Sequence, residues 1–156
     1  MFEAGYGIRL VLASSQPGYL YVVNEGAEST ADKPDVSAFF PDPRIRSGSA
    51  QLQPGQELNI PQGDFLVLDK QKGKEKLWLV WSQNQVPLFE GLKKWVNPKD
   101  RGAIGDAGQA GEVGAYLQKA AASAGRVTAE PDAMNQMTIL KSPDEVLVRR
   151  IVLEHD

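Results

Sequence analysis

The chain has 156 residues, 42% of them hydrophobic and 24% charged, with a formal net charge of −3 at pH 7. That length predicts one globular domain over residues 1–156, able to bury roughly 70% of the surface its unfolded chain exposes. The absence of cysteine excludes disulfides, thiolate catalysis and thiol-ligated zinc, and without a Lys/Arg cluster there is no basis for binding nucleic acid.

Residues 1–4 have neither the basic nor the apolar region of a secretory signal, and no apolar run approaches the roughly twenty residues that span a bilayer. The compartment stays open. Residues 8–12 (IRLVL) and 19–23 (YLYVV) are strand patterns separated by Ser15-Gln16-Pro17-Gly18, which together predict a β-hairpin. Alternation sets Tyr19, Tyr21 and Val23 on one face of the second strand and Leu20 and Val22 on the other. A polar loop over 25–35 leads to a strand at Val36–Phe40, which stops at Pro41-Asp42-Pro43. Residues 44–56 are rich in Gly, Ser, Gln and Pro and predict turns. Short strands follow at Leu58–Ile60 and over 65–69, with turns at Pro61-Gln62-Gly63 and over 71–74.

Residues 73–87 (GKEKLWLVWSQNQVP) hold two tryptophans three positions apart. On a strand, Leu77, Leu79 and Trp81 face one side while Trp78 and Val80 face the other. Two apolar faces predict a strand covered on both sides and central in its sheet. The rings then point apart and form no shared platform. They are read as core, and each indole N–H needs a partner.

Leu88, Leu92 and Trp95 recur at helical spacing and predict a short helix ended by Asn97-Pro98-Lys99-Asp100. Glycines stand at every third position from Gly102 through Gly105, Gly108 and Gly111 to Gly114. The run is too short for collagen and lacks proline, so it reads as a linker entering a helix. Asp106 with Gln109 makes a capping pair; Val113, Tyr116, Leu117, Ala120 and Ala121 give the apolar stripe, and Gly125 the end. Gly111 and Gly114 would each cost such a helix about 1 kcal/mol relative to alanine. Either the helix begins after Asp106, or something packs closely on that face. Residues 137–140, the turn Ser142-Pro143-Asp144 and residues 145–154 predict a final hairpin, whose last strand, apolar on both faces, belongs inside a sheet. The expected fold is mainly β (α+β): an antiparallel β-sandwich-like body over 6–87, a helical insertion with one or two helices over 87–125, and a closing C-terminal β-hairpin over 136–155.

His155 is the only histidine and, next to the chain end, reads as a terminal side chain rather than a base. There is no Gly-x-Ser-x-Gly elbow, phosphate-cradling glycine loop or zinc spacing, and Asp32, Asp35 and Asp42 lack the spacing of a calcium loop. No catalytic, cofactor-binding or metal-ligating residue is expected. Glu75 is the most conspicuous acid for a carboxylate site, and reads as a solvated strand-end charge.

Gly18-Tyr19-Leu20-Tyr21, Phe40-Pro41, Ile60-Pro61, Gly73 with Glu75, and Ser82 with Pro87 follow one another in order. Over 8–87 that succession resembles a bacterial family of domains of unknown function, DUF4384, and the closing Leu153-Glu154-His155 fits it too. The resemblance implies a β-rich accessory domain carried in longer proteins beside protein-kinase or caspase-like domains, with no known catalytic residues. The expected function is therefore a non-enzymatic sensing or protein-interaction module without a cofactor, whose partner is another protein or a fused domain. The alternative is a small carbohydrate- or peptide-binding domain using Tyr19 and Tyr21 on a sheet face, unless the helix over 113–121 caps that face. A hydrolase with an unrecognised carboxylate site comes third.

Overall fold

The computed structural model describes residues 7–63, 65–67, 73–123 and 126–155. Gly7–Ile8 (β1) and Leu10–Leu12 (β2) precede Gly18–Glu25 (β3), whose aromatic and β-branched side chains favour an extended backbone. Val36–Phe40 (β4) is followed by three short pieces, Gln51–Leu52 (β5), Leu58–Ile60 (β6) and Leu66–Val67 (β7). Gly73–Ser82 (β8) carries both tryptophans. Then come Pro87–Leu92 (α1), Val96–Asn97 (β9), Ala103–Ile104 (β10) and Ala107–Ser123 (α2). Thr128–Asp132 (β11), Met137–Lys141 (β12) and Val146–His155 (β13) close the chain.

One seven-stranded sheet runs in the order β13-β8-β3-β4-β10-β9, with β5 added beside β3. Its pairs are antiparallel. β8 is central, as its two apolar faces predict: β13 pairs with it from Val146↔Ser82 to His155↔Gly73, and β3 from Tyr19↔Ser82 to Glu25↔Lys76. On one face Tyr21, Val23, Trp78 and Val80 pack against Phe89 and Leu92 of α1 and against Val113 and Leu117 of α2. On the other, Leu20, Val22, Leu77 and Leu79 pack against Leu58, Ile60 and Leu66 of the ladders β2–β6 and β1–β7. Sheet lies on sheet on one side only; helices cover the other.

The two tryptophans part as alternation requires. Trp78 is fully buried on the helix side, where its Nε1 donates to Glu25 Oε2 at 3.0 Å and Lys76 Nζ donates to Glu25 Oε1 at 2.9 Å. Trp81 packs with the opposite cluster and lies over Gly18, where a Cβ would come within 2.7 Å of the indole. That contact gives a reason for the glycine that opens Gly18-Tyr19-Leu20-Tyr21. The Trp81 indole N–H is buried and has no hydrogen-bond partner among the described residues.

Pairing departs from the sequence reading in several places. The hairpin expected between 8–12 and 19–23 does not form: β2 pairs with β6, while β8, β4 and β5 take both edges of β3. A hairpin does stand near the C-terminus, but it joins β11 to β12, from Thr128↔Lys141 to Asp132↔Met137. The sequence reading assigns no element to 128–132, the stretch that forms β11. β13 pairs with β8 and lies at the sheet edge rather than inside it. Its two faces are apolar because both sides of the sheet are covered: Val148 is buried with the helices and Leu153 with the small ladders. α1 stops at Leu92, where the Trp95 N–H donates to the Leu92 carbonyl at 2.7 Å in a tight turn, so Trp95 stands off the helix, 46% exposed.

α2 begins where the capping pair predicts. The Asp106 carboxylate accepts the Gln109 N–H at 2.9 Å, and its carbonyl accepts the Ala110 N–H at 2.9 Å. Both alternatives raised by the internal glycines fail: the helix does not start late, and a Cβ at Gly111 or Gly114 would meet nothing within 4 Å. The readings at residues 1–4, Leu68, Asp69, Gln71, Lys72 and Gly125 lie outside the described residues.

Candidate functional site

Tyr21 is turned into the protein. Its hydroxyl donates to Glu90 Oε1 at 2.8 Å and accepts the Val86 N–H at 3.1 Å, and Lys93 pairs with the other Glu90 oxygen. Its ring stacks on Phe89 at 5.0 Å between centroids, and Tyr116 of α2 meets Phe89 edge-on at 5.2 Å. Burial, with the Glu90 carboxylate adding to it, pushes the Tyr21 phenol well above its ordinary pKa. Tyr19 is half-buried against the same cluster. The sheet face expected to offer Tyr19 and Tyr21 to a ligand is therefore closed at Tyr21 by α1, with α2 behind it. Of the other candidates, Glu75 stands opposite Leu153 and His155 opposite Gly73 in the β8–β13 ladder.

A concave surface opens elsewhere. A groove of about 610 Å³ lies between the end of β4 with the loop after it, residues 61–63 and 65–67, and the loop joining β9 to β10. Leu66 is buried and Phe39 half-buried, while Phe65 and Val67 are 52% and 51% exposed. From beside the groove the Arg9 guanidinium lies 4.4 Å from the centroid of the Phe65 ring, a cation–π contact. Arg44, Lys99 and Arg101 are the basic side chains lining the groove, and among the described residues Asp42 is the one acidic side chain there. Arg44 holds Asp42 in a fork, Nε to Oδ1 at 3.0 Å and Nη2 to Oδ2 at 2.7 Å, and these hydrogen bonds keep the carboxyl below its usual pKa. Lys99 and Arg101 are exposed and have no ion pair among the described residues.

Local backbone constraints fix the loop that carries those two cations. Arg101 and Gly102 are both left-handed, at φ 47° and 83°. A Cβ at Gly102 would lie 2.1 Å from the Ala38 carbonyl oxygen, so only glycine fits this approach. The Ala38 N–H donates to the Gly102 carbonyl at 2.9 Å and the Gly102 N–H to the Asn97 carbonyl at 3.0 Å, hooking the loop onto β4. The Asn97 side chain accepts the Lys99 N–H at 3.1 Å. Gly102 is thus the member of the period-three run that the site needs. Gly105, Gly111 and Gly114 face open space, so the spacing has no common structural cause.

In the sequence, 41–43 read as the end of a strand, 61–63 as a turn and 97–100 as the end of a helix, and none of the three reads as part of a binding surface. The local signals are the prolines in these stretches and the cations in or beside two of them, Arg44, Lys99 and Arg101, but only the fold brings the three stretches together. Among the described residues no three His, Asp or Glu side chains are grouped to hold a metal ion. No helix among them is long and apolar enough to cross a membrane.

No curated protein and no solved structure matches the chain. The model of a family described as Domain of unknown function (DUF4384) matches residues 1–85. That is more than half of the 156 residues, and the chain belongs to the DUF4384 family.

Proposed function

We propose that the protein is a non-enzymatic interaction module whose partner, another protein or a fused domain, docks in the groove beside Phe65. One observation carries the reading: a half-exposed aromatic ring and two cations without ion partners among the described residues share a concave surface. Exposed aromatics and arginines in a concavity are the usual anchors of protein docking. The loop that supplies Lys99 and Arg101 follows the segment matched by the family model, so this site draws on both parts of the chain. With Tyr21 enclosed, a ligand platform built on Tyr19 and Tyr21 has lost its basis.

A photo-crosslinking side chain placed at Val67 tests this in the full chain, with Gln118 on the exposed side of α2 as the control position. Discrete adducts at Val67, absent at Gln118 and lost on Phe65→Ser, are the expected result. Equal adducts at both positions would remove the groove from consideration. Turnover of ester, glycoside or peptide substrates by the purified chain would overturn the non-enzymatic reading.

A further inference from the structure

We infer that the groove accepts an extended acidic peptide segment, its carboxylates on Lys99 and Arg101 and an apolar side chain of the same segment against Phe65 and Val67. This rests on the docking reading above and names its ligand chemistry.

Charge selects the class. The chain carries 20 acidic and 17 basic residues, so its net charge offers an acidic partner no overall attraction. Among the described residues of the groove the balance reverses: Asp42 is tied up by Arg44, leaving Lys99 and Arg101 with Arg9 behind the Phe65 ring. Complementary potential of this kind guides encounter and fixes orientation. The apolar share follows from Phe65 and Val67, each about half exposed beside the buried Leu66. A wholly charged ligand would leave that surface wet.

The extended form follows from the sheet. β7 pairs with β1 alone among the described residues, and Leu66 and Val67 line the groove. An unpaired strand edge offers backbone donors and acceptors to a third strand, and alternate side chains of the added strand then reach opposite walls. Nucleic acid fits less well, because the two cations without ion partners among the described residues would neutralise few phosphates and release few counterions.

Fluorescence anisotropy of labelled peptides with the full chain tests the inference. The probes are an alternating glutamate–leucine peptide, a lysine–leucine peptide of the same length, and a single-stranded oligonucleotide of equal charge. The acidic peptide should bind, and more weakly as salt rises. Lys99→Glu with Arg101→Asp should weaken it by about tenfold or more and transfer preference to the lysine peptide. Aspartate is chosen at 101 because it tolerates the left-handed backbone there; Lys99→Glu alone, outside that strained position, should give a smaller shift in the same direction. Phe65→Ser should weaken the acidic peptide without changing the sign of the preference. No binding of the acidic peptide, binding unaltered by the charge reversals in variants with wild-type melting curves, or equal affinity for the oligonucleotide would each overturn it. Crosslinks at Val67 without any preference for acidic peptides would leave the docking reading standing and remove this one.

Discussion

A single hydroxyl ties β3 to the chain before α1. Tyr21 accepts the Val86 N–H and donates to Glu90, so Tyr21→Phe leaves one buried amide without a partner. At neutral pH that should cost about 1–3 kcal/mol, read by urea unfolding. The pH dependence has a definite sign. Burial raises the Tyr21 phenol above its ordinary 10.0, so above about pH 10 the unfolded chain gives up this proton while the folded chain keeps it. The stability contribution is complete below the unfolded value and falls as pH climbs through the folded one. The gap between wild type and Tyr21→Phe should therefore narrow when unfolding is repeated at about pH 11; a gap that widens there would contradict the assignment. Gly102 makes a second test at this scale. Alanine there meets both a left-handed backbone and the Ala38 carbonyl, and Gly102→Ala should destabilise by about 2 kcal/mol or more, seen as a lower Tm.

At the scale of elements, alternation located most strands and said little about their partners. Val36–Phe40 and Leu58–Ile60 stand where their patterns put them, because side-chain periodicity is local. Pairing is a competition among distant segments. Residues 8–12 lie close in sequence to β3, yet β3 pairs with β8 from Tyr19↔Ser82 to Glu25↔Lys76, and β2 is left to β6. In that ladder Leu20 to Asn24 stand opposite Trp81, Val80, Leu79, Trp78 and Leu77 in turn, apolar partners that alternate between the two faces of the sheet. The Asp106 cap was legible for the same local reason as the strands. The glycines inside α2 were legible as a cost but not as one left unrelieved. With nothing within 4 Å of a Cβ at Gly111 or Gly114, Gly111→Ala and Gly114→Ala should each stabilise by about 1 kcal/mol. For a chain of this size that raises the calorimetric Tm by about 2–4 °C per substitution. A lower Tm would mean that this face of α2 is more tightly packed than its geometry shows.

For the whole molecule the central fact is that β8 is held from both edges and covered on both faces. The groove depends on that arrangement at second hand. Its walls come from residues around 39–44, 61–63, 65–67 and 96–102, fixed to β4 of the large sheet and to the small β1–β7 ladder that packs on it. No window of sequence contains more than one wall, so composition could show spare cations but not their convergence. The same dependence makes the chain end structural. β13 contributes a ten-residue ladder to β8 and buries Val148 on the helix side and Leu153 on the other. Deleting residues from Val146 onward would expose the edge of β8 and open both cores beside Trp78 and Leu77. Lost burial on two faces of this central strand is a large fraction of the 5–15 kcal/mol that typically holds a domain folded. The truncated chain should retain far-UV signal but lose its cooperative thermal transition and bind a hydrophobic dye, the behaviour of a sheet with collapsed but unfixed packing. If it instead melts as sharply and as high as the full chain, β13 contributes little to the core and β8 is stable with one open edge.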